Sequence, residues 1–261
     1  MGDGRDKLRV RLLPSSMGSR EELQYATSYL INEFLAVDAG SIGYQSNLKE
    51  QAAVRHVLLT HTHSDHVASL PVLVENTLSD RREPLVVWGN AAVLECIESD
   101  LFNDRIYPTL DVFRVASGPA VVLRELRPEE PIEIEGLNIL PVEMNHTVPT
   151  LSFLIDDGEQ SVVIGGDTGP TERLWELARG RENLVAVFLE AAFPNELRQL
   201  AQDALHLTPE QFAAEWKKLG REVHFLAVHL KPRYRATLVR ELLALGLPGF
   251  EIGGTGKTYS W

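Results

Sequence analysis

The feature that most constrains this sequence is an apolar segment that ends in a dense group of metal-competent side chains. Residues 57–59 are aliphatic, and His61, His63, Asp65 and His66 follow within the next seven positions. Neutral imidazole and carboxylate groups are good ligands for zinc, manganese or iron. Burying them beside a hydrophobic strand is costly unless a metal ion or hydrogen bonds satisfy them. The pattern therefore predicts a metal site, with a solvated loop or a helix N-cap at Asp65 as the structural alternative.

The spacing of these side chains indicates how they divide. His61 and His63 are two residues apart, so on an extended segment both point the same way. Asp65 and His66 follow as the chain turns and can face a second ion nearby. A site for two ions needs more ligands than this one loop supplies, so the rest of the chain has to provide them.

Three later segments share the same character, an apolar run that ends in a potential ligand. Residues 141–146 end in His146, residues 162–167 end in Asp167 after two glycines, and residues 225–229 end in His229. Enzymes with mixed α and β structure assemble their sites from loops placed by such a scaffold. Each residue taken alone could be an ordinary loop residue, but together with the first group they complete a set for two ions.

Charge and cysteine content exclude other kinds of site and partner. The chain has 37 Asp and Glu against 25 Lys and Arg, a net charge of −12, which disfavours capture of a long nucleic acid. Its single cysteine, Cys96, excludes an internal disulfide and any cysteine-based zinc or iron–sulfur site. A metal site here would have to be built from histidine and carboxylate.

The organisation of the chain suggests one domain, residues 1–261, because no repeat, low-complexity tract or Pro/Gly-rich linker divides it. The first 16 residues lack the apolar stretch of a signal peptide, and no apolar run is long enough to span a membrane. We therefore expect a cytoplasmic protein without a membrane segment. The sequence leaves open whether it forms a homo-oligomer.

Apolar periodicity predicts an α/β protein with short strands and helices. The predicted strands are residues 8–13, 29–37, 54–60, 85–88, 120–126, 132–143, 151–155, 161–164, 184–189, 223–228 and a short tail around Tyr259. The predicted helices are residues 67–78, 91–101, 171–178, 209–219 and 235–245. Thr208 is the expected N-cap of the fourth helix, with Pro209 at its first position. Two sheets sandwiched between helices would accommodate this order.

The ordered ligands resemble those of the metallo-β-lactamase superfamily in type, order and approximate spacing, over nearly the whole chain. The resemblance implies an α/β fold, a four-layer αβ/βα sandwich with metals at the edge between two sheets. It also implies a ligand set: His61, His63 and His146 for one ion, Asp65, His66 and His229 for the other, and Asp167 as the bridge.

Within that superfamily the chain is most similar to the class II 3′,5′-cyclic nucleotide phosphodiesterases. The segments that carry this resemblance are residues 102–108, 145–149, 188–193, 206–209 and 229–232. It implies two divalent ions, zinc with manganese or iron as alternatives, and a small phosphodiester substrate, cyclic AMP or cyclic GMP. A hydroxide held between the ions by Asp65 and Asp167 would attack phosphorus and release the 5′-monophosphate.

Glu190 and His206 are candidates for supplying a proton to the leaving group. A carboxylate can orient an imidazole and raise its basicity, and this superfamily's phosphodiesterases and tRNA-processing nucleases have a similar pair. The alternative is that Glu190 lies in a surface loop and His206 in an ordinary helix entry.

For substrate contacts the sequence offers Lys231 for phosphate, Thr147 for a hydrogen bond and Asn103 for the nucleoside side. A solvated basic turn and a turn cap are the alternatives for Lys231 and Thr147.

Three other functions stay open. One is a tRNA 3′-processing endonuclease of the same superfamily, against which the acidic balance counts. Another is a different hydrolase of this fold, such as a lactonase or thioesterase, because fold does not fix substrate. The third is a non-catalytic module that uses metal for stability or partner binding.

Overall fold

The structure is a computed structural model that describes residues 7–15 and 23–261. Within these ranges the strands are β1 (Arg9–Leu12), β2 (Tyr29–Ile31), β3 (Leu35–Val37), β4 (His56–Leu58), β5 (Leu85–Gly89), β6 (Arg114–Val115), β7 (Gly118–Pro119), β8 (Val121–Glu125), β9 (Ile132–Ile134), β10 (Leu137–Met144), β11 (Thr150–Asp156), β12 (Ser161–Ile164), β13 (Leu184–Glu190), β14 (His224–Val228), β15 (Phe250–Ile252) and β16 (Thr258–Ser260). The helices in the same ranges are α1 (Leu48–Ala53), α2 (Ser64–Val67), α3 (Leu70–Thr77), α4 (Ala91–Cys96), α5 (Arg173–Arg179), α6 (Arg198–Asp203), α7 (Pro209–Lys218) and α8 (Arg235–Ala244).

Most of these strands belong to two seven-stranded sheets with the same internal plan. The order is β16-β1-β2-β3-β4-β5-β8 in the first sheet and β15-β14-β13-β12-β11-β10-β9 in the second. Each sheet is antiparallel at one end and parallel at the other. The parallel runs are β3-β4-β5-β8 and β12-β13-β14-β15. β6 and β7 form a separate hairpin.

Alternation along the strands builds three apolar layers. In β14, Leu226 and Val228 pack into a layer shared with the first sheet, whereas Phe225 and Ala227 pack against α5, α7 and α8. The outer face of the first sheet packs against α3 and α4 in the same way. Helices therefore cover both outer faces of two stacked sheets. The predicted α/β fold, a four-layer αβ/βα sandwich, is confirmed.

Two predicted strands are wrong because each is a pair of strands joined by a turn. Residues 29–37 form β2 and β3, with Asn32 and Glu33 at φ 44° and 67° between them. Residues 132–143 divide into β9 and β10 at Glu135 and Gly136, with φ 48° and 85°. Two successive residues in the left-handed region reverse the chain direction. The predicted strands over residues 151–155 and 161–164 pair with each other as the antiparallel neighbours β11 and β12.

The helices predicted over residues 171–178, 209–219 and 235–245 are confirmed to within two residues at each end, and Thr208 caps α7 together with Gln211. The helix predicted over residues 67–78 is wrong at its start, since α2 ends at Val67 and α3 begins at Leu70. Ser69 lies in this break, where its backbone N–H and its hydroxyl both donate to the Ala39 carbonyl, at 2.8 and 2.7 Å. The helix predicted over residues 91–101 is α-helical only to Cys96 and continues as a π-helical turn, Ile97–Leu101.

Across residues 7–15 and 23–261, none of the helices is both long and apolar enough to cross a membrane.

Candidate metal centre

The site lies where loops that follow strands of both sheets come together. The loop after β4 carries His61 and His63, and Asp65 and His66 lie in the short helix α2 that follows it. The loops after β10, β12 and β14 carry His146, Asp167 and His229. Sites in sheets with parallel strands form outside the carboxyl ends of those strands. The predicted strand over residues 54–60 extends only over His56–Leu58, because the Thr60 backbone N–H donates to the Asp38 carboxylate at 2.8 Å instead of to a strand.

The first ligand trio consists of His61, His63 and His146. Each places one ring nitrogen, together with an oxygen of Asp167, within 4.8 Å of the others. His63 Nδ1 lies 3.1 Å from His61 Nε2 and 3.3 Å from His146 Nε2. His146 Nδ1 donates to the Leu205 carbonyl at 3.0 Å, so its Nε2 is the nitrogen that faces the other two rings.

The second ligand trio consists of Asp65, His66 and His229, whose ligand atoms also lie within 4.8 Å of one another. Asp65 Oδ2 is 3.8 Å from both His66 Nε2 and His229 Nε2. The two histidines are buried, whereas the Asp65 side chain is 31% exposed. The second trio therefore meets solvent through its carboxylate.

Asp167 lies between the two trios. Its Oδ2 atom is 3.8 Å from His61 Nε2, 3.5 Å from His66 Nε2 and 3.3 Å from His229 Nε2. Burial would raise the pKa of Asp167, but the His229 and His66 imidazoles hold it well below its usual value. An ionised carboxylate in this place can serve both groups of ligands, as the bridging role requires.

Asp38 is a buried carboxylate that no sequence pattern marks as part of the site. Its Oδ2 accepts a hydrogen bond from His66 Nδ1 at 2.7 Å, and the Thr60 hydroxyl donates to it at 2.9 Å. His61 Nδ1 in turn lies 2.9 Å from that hydroxyl. A carboxylate that accepts from one imidazole nitrogen fixes the tautomer and turns the other nitrogen toward a metal. Asp38 orients His66 directly and His61 through Thr60.

The electrostatics favour neutral imidazoles at most of these positions. Burial lowers the pKa of His61, His63 and His146, and it lowers the pKa of His229 to about 4. His66 differs: burial acts to lower its pKa, but the Asp167 and Asp38 carboxylates raise it well above the usual value. A neutral imidazole offers a lone pair, so the site needs little deprotonation before a cation can bind.

The residues present fit divalent cations. Imidazole nitrogens face one another at 3.1 and 3.3 Å in the first trio, an arrangement that a shared cation would stabilise. In the second trio, His66 Nε2 is buried and makes no hydrogen bond within the described part of the chain, although the Asp167 and Asp65 carboxylates lie 3.5 and 3.8 Å from it. A buried polar atom without a partner is costly, and a metal ion supplies one.

Glu190 and His206 form a buried pair beside the ligands. His206 Nδ1 donates to Glu190 Oε1 at 2.5 Å, and the Glu190 carboxylate also accepts from the backbone N–H groups of Thr168, Ala192 and Leu207 at 2.9 to 3.2 Å. Burial raises the pKa of Glu190. Burial acts to lower the pKa of His206, but the Glu190 and Asp167 carboxylates together raise it above its usual value. The hydrogen bonds hold Glu190 in place, and its contact with His206 leaves that ring's Nε2 available for other contacts.

A cavity of about 470 Å³ lies on the side of the second ligand trio. Its wall includes both Asp65 and His229. Apart from Pro232, the remaining lining residues are polar, aromatic or basic: Gln24, Tyr25, Thr27, Phe193, Lys231, Arg233 and Tyr234. Lys231 Nζ lies 5.5 Å from the centre of the Phe193 ring. The cavity can hold a small molecule or part of a larger one next to the ligands.

The predicted substrate-contacting residues are placed differently. Lys231 lines the cavity, and Thr147 is exposed next to His146 in the first trio. Asn103 donates to the Ser99 and Asp100 carbonyls and accepts from two backbone N–H groups at positions 105 and 106. These bonds engage Asn103 within its own loop, so its contacts give no support to a role in holding substrate.

The comparisons with known proteins agree with this geometry. A family profile described as "Beta-lactamase superfamily domain" matches residues 37–230, which include both ligand trios and Asp167. The chain belongs to the beta-lactamase superfamily.

Several curated relatives are named ribonuclease Z. One, from Ignicoccus hospitalis, is 27% identical over 229 residues, which cover 70% of this chain and 72% of that protein. Another, from Mycobacterium bovis, is 29% identical over 157 residues, and the match covers 57% of this chain and 56% of that protein. Because the second match spans little more than half of the relative, the activity of the whole relative can only be proposed for this chain.

Among solved structures, yeast PDE1 superimposes with a TM-score of 0.78 at 16% identity, over 98% of this chain and 99% of that one. This likeness shows a shared fold.

Proposed function

We propose that this chain is a metal-dependent phosphodiesterase that holds two divalent cations, zinc with manganese or iron as alternatives, and cleaves RNA at the 3′ end of tRNA precursors. The observation that carries the proposal is the convergence of two ligand trios around Asp167, beside the Glu190–His206 pair. Divalent ions bound there would lower the pKa of a coordinated water and neutralise charge on the phosphate.

The side chains of the second trio and its neighbours have clear tasks in this reaction. Asp65 is exposed enough to meet water and can accept a hydrogen bond from the attacking molecule. Lys231 reaches the cavity, where its ammonium can bind a phosphate oxygen. Asp167 places one carboxylate oxygen near His61, His66 and His229, so it can contribute a ligand to both groups.

His206 is suited to the leaving group. Its Nδ1 hydrogen is committed to Glu190, and a carboxylate partner raises the basicity of the ring. The remaining nitrogen can hold a proton and pass it to the departing oxygen, a role that contributes about 10²–10⁴-fold in rate. Glu190 acts through His206 and keeps the ring oriented.

The names of the relatives support the choice of substrate. The two ribonuclease Z matches favour the RNA alternative over the cyclic nucleotide first expected from the sequence. Cyclic nucleotides are kept as a second candidate for two reasons. The net charge of −12 disfavours a polynucleotide, and a cavity of about 470 Å³ is within the usual range for small ligands.

The test is hydrolysis by the full chain loaded with zinc or manganese. The substrates are a tRNA precursor with a 3′ trailer, 3′,5′-cyclic AMP and GMP, and bis(p-nitrophenyl) phosphate. We expect cleavage of the precursor and of the nitrophenyl ester, both abolished by a chelator. His206→Asn should retain the bound metal and lower kcat by about 10²–10⁴-fold.

Each outcome assigns the substrate or removes the proposal. Hydrolysis of cyclic nucleotides to 5′-monophosphates without cleavage of the precursor would make the second candidate correct. If the protein binds two equivalents of metal and hydrolyses none of the phosphodiesters, the proposed chemistry is wrong and a metal-binding module gains support.

A further inference from the structure

The segment that enters β2 contacts the second ligand trio from the opposite end of the sequence. Thr27 Oγ1 lies 3.2 Å from His229 Nδ1, although the two residues are 202 positions apart. Thr27 is buried, with 3% of its surface exposed. The hydroxyl therefore meets the nitrogen of His229 that faces away from Asp65 and Asp167, whose carboxylates lie near Nε2.

The backbone of Thr27 joins two further parts of the site. Its N–H donates to the Asp65 carbonyl at 2.7 Å, and its carbonyl accepts from the Gly40 N–H at 2.9 Å. Gly40 allows this close approach, because a Cβ there would lie 1.9 Å from the Asp65 carbonyl oxygen. One residue thus contacts Asp65 through its backbone and His229 through its side chain.

His229 needs such support because its backbone is strained. Its φ is 54°, a left-handed conformation that non-glycine residues seldom adopt. The His229 N–H donates to Gln24 Oε1 at 3.0 Å, which ties this backbone to the same segment. Gln24 holds the main chain and Thr27 holds the ring.

The tautomer that His229 needs for metal binding determines which partner donates in its hydrogen bond with Thr27. For His229 Nε2 to offer a lone pair, the hydrogen of the neutral ring must be on Nδ1. Nδ1 then donates to the Thr27 hydroxyl oxygen. Partners of this kind around metal-binding histidines set the tautomer and orientation, and their loss typically costs about 10–100-fold in metal affinity.

We propose that Thr27 is a positioning residue for one of the two cations: it fixes the tautomer and ring orientation of His229 and aligns Asp65, so that the second ligand trio depends on it while the first does not. The inference rests on the proposed function, because it assumes that both trios bind metal. The first trio has no contact with Thr27 among the hydrogen bonds of the described residues, and its His146 is held by the Leu205 carbonyl.

The experiment is a zinc titration of the full-length chain against a chromophoric chelator, with the metal-to-protein ratio measured by mass spectrometry. Thr27→Val removes the hydroxyl and keeps nearly the same side-chain shape. Thr27→Ser keeps the hydroxyl and removes only the methyl group. We expect Thr27→Val to bind the first equivalent as the parent does and the second about 10–100-fold more weakly. Thr27→Ser should recover most of that loss.

Thr77→Val is the matched control, because Thr77 is a buried threonine of α3 whose hydroxyl donates to Leu73 and accepts from Arg81. It should lose stability without changing either zinc affinity. Gln24→Met is a second variant in case Thr27→Val does not fold, and it should also weaken only the second equivalent.

The outcomes separate this inference from the proposed function. If the parent binds two equivalents of zinc, and Thr27→Val and Gln24→Met each bind both equivalents as tightly as the parent does, the positioning role is wrong and the proposed function stands. An equal weakening of both equivalents would also overturn the selective role. A folded parent that binds fewer than two equivalents would contradict the proposed function itself, and the inference with it.

Discussion

His146 and His229 both follow strands of the second sheet, but they are held by different kinds of contact. His146 Nδ1 donates to the main-chain carbonyl of Leu205 at 3.0 Å. His229 is held by two side chains, with Thr27 at its ring and Gln24 at its backbone N–H. A main-chain partner survives substitution of the residue that supplies it, whereas a side-chain partner can be removed by one mutation. The second ligand trio is therefore the half of the site that mutation can loosen selectively.

Replacement of Asp167 should weaken zinc binding at both trios and not at one alone, because its Oδ2 atom is near ligands of both. Asp167→Asn keeps the shape and removes the charge that the cations and imidazoles share. We expect both zinc equivalents to weaken and kcat on bis(p-nitrophenyl) phosphate to fall by about 1,000-fold, which corresponds to about 4 kcal/mol of charge stabilisation. Metal content and initial rates on the same sample measure the two effects.

A variant that lost only one equivalent would contradict the shared role of Asp167. Asp157→Asn provides the control, since Asp157 is a carboxylate of the β11–β12 turn that accepts from backbone N–H groups at positions 159 and 160. It should leave metal binding and rate unchanged.

Asp38→Asn should affect the second trio more than the first. Asp38 accepts directly from His66 but reaches His61 only through the Thr60 hydroxyl. An amide at this position can present its NH₂ group to His66 Nδ1, which shifts the ring hydrogen to Nε2 and blocks the ligand atom. We expect the second zinc equivalent to weaken by about 10–100-fold and the first by less, measured by chelator competition.

Glu215→Gln is the matched control for Asp38→Asn. Glu215 is a buried carboxylate of α7 that accepts from the Trp175 indole N–H at 2.6 Å. Its replacement should lower the free energy of unfolding and leave both zinc affinities intact. If Asp38→Asn weakened both equivalents equally, Asp38 would orient His61 through the Thr60 hydroxyl as strongly as it orients His66 directly.

The ligands themselves could be predicted from the sequence because local patterns carry them. His61 and His63 follow an apolar run at a spacing that places both on one side, and Asp167 ends another such run after two glycines. Strands that run parallel bring their ends to one edge of a sheet, so separate runs could be expected to meet. The order of apolar segments was compatible with two sheets between helices, and the four-layer fold was expected from the resemblance to the metallo-β-lactamase superfamily.

The supports of the ligands could not be predicted in the same way. Thr27 and Gln24 meet His229 across 202 and 205 positions, and His229 itself has a left-handed φ of 54° that its residue type does not predict. No periodicity links residues so far apart. Asp38 also follows a short strand, β3, but it has no second ligand type near it in the sequence and carries no signal of its partner His66. Tertiary contact alone identifies these positions.

The smallest expected effect concerns which trio faces the substrate. Lys231 lines the cavity on the side of the second trio, whereas Thr147 is exposed beside His146 in the first. Lys231→Met should raise KM for the tRNA precursor about five- to tenfold at 0.1 M salt and reduce the slope of log KM against log salt by about 1, because one phosphate contact is lost. Thr147→Val should change neither quantity if the substrate enters along the second trio.

A larger effect of Thr147→Val than of Lys231→Met would place the substrate on the first trio instead. An unchanged salt slope in Lys231→Met, with KM raised for cyclic AMP, would favour the small substrate, because a single phosphate displaces few counterions.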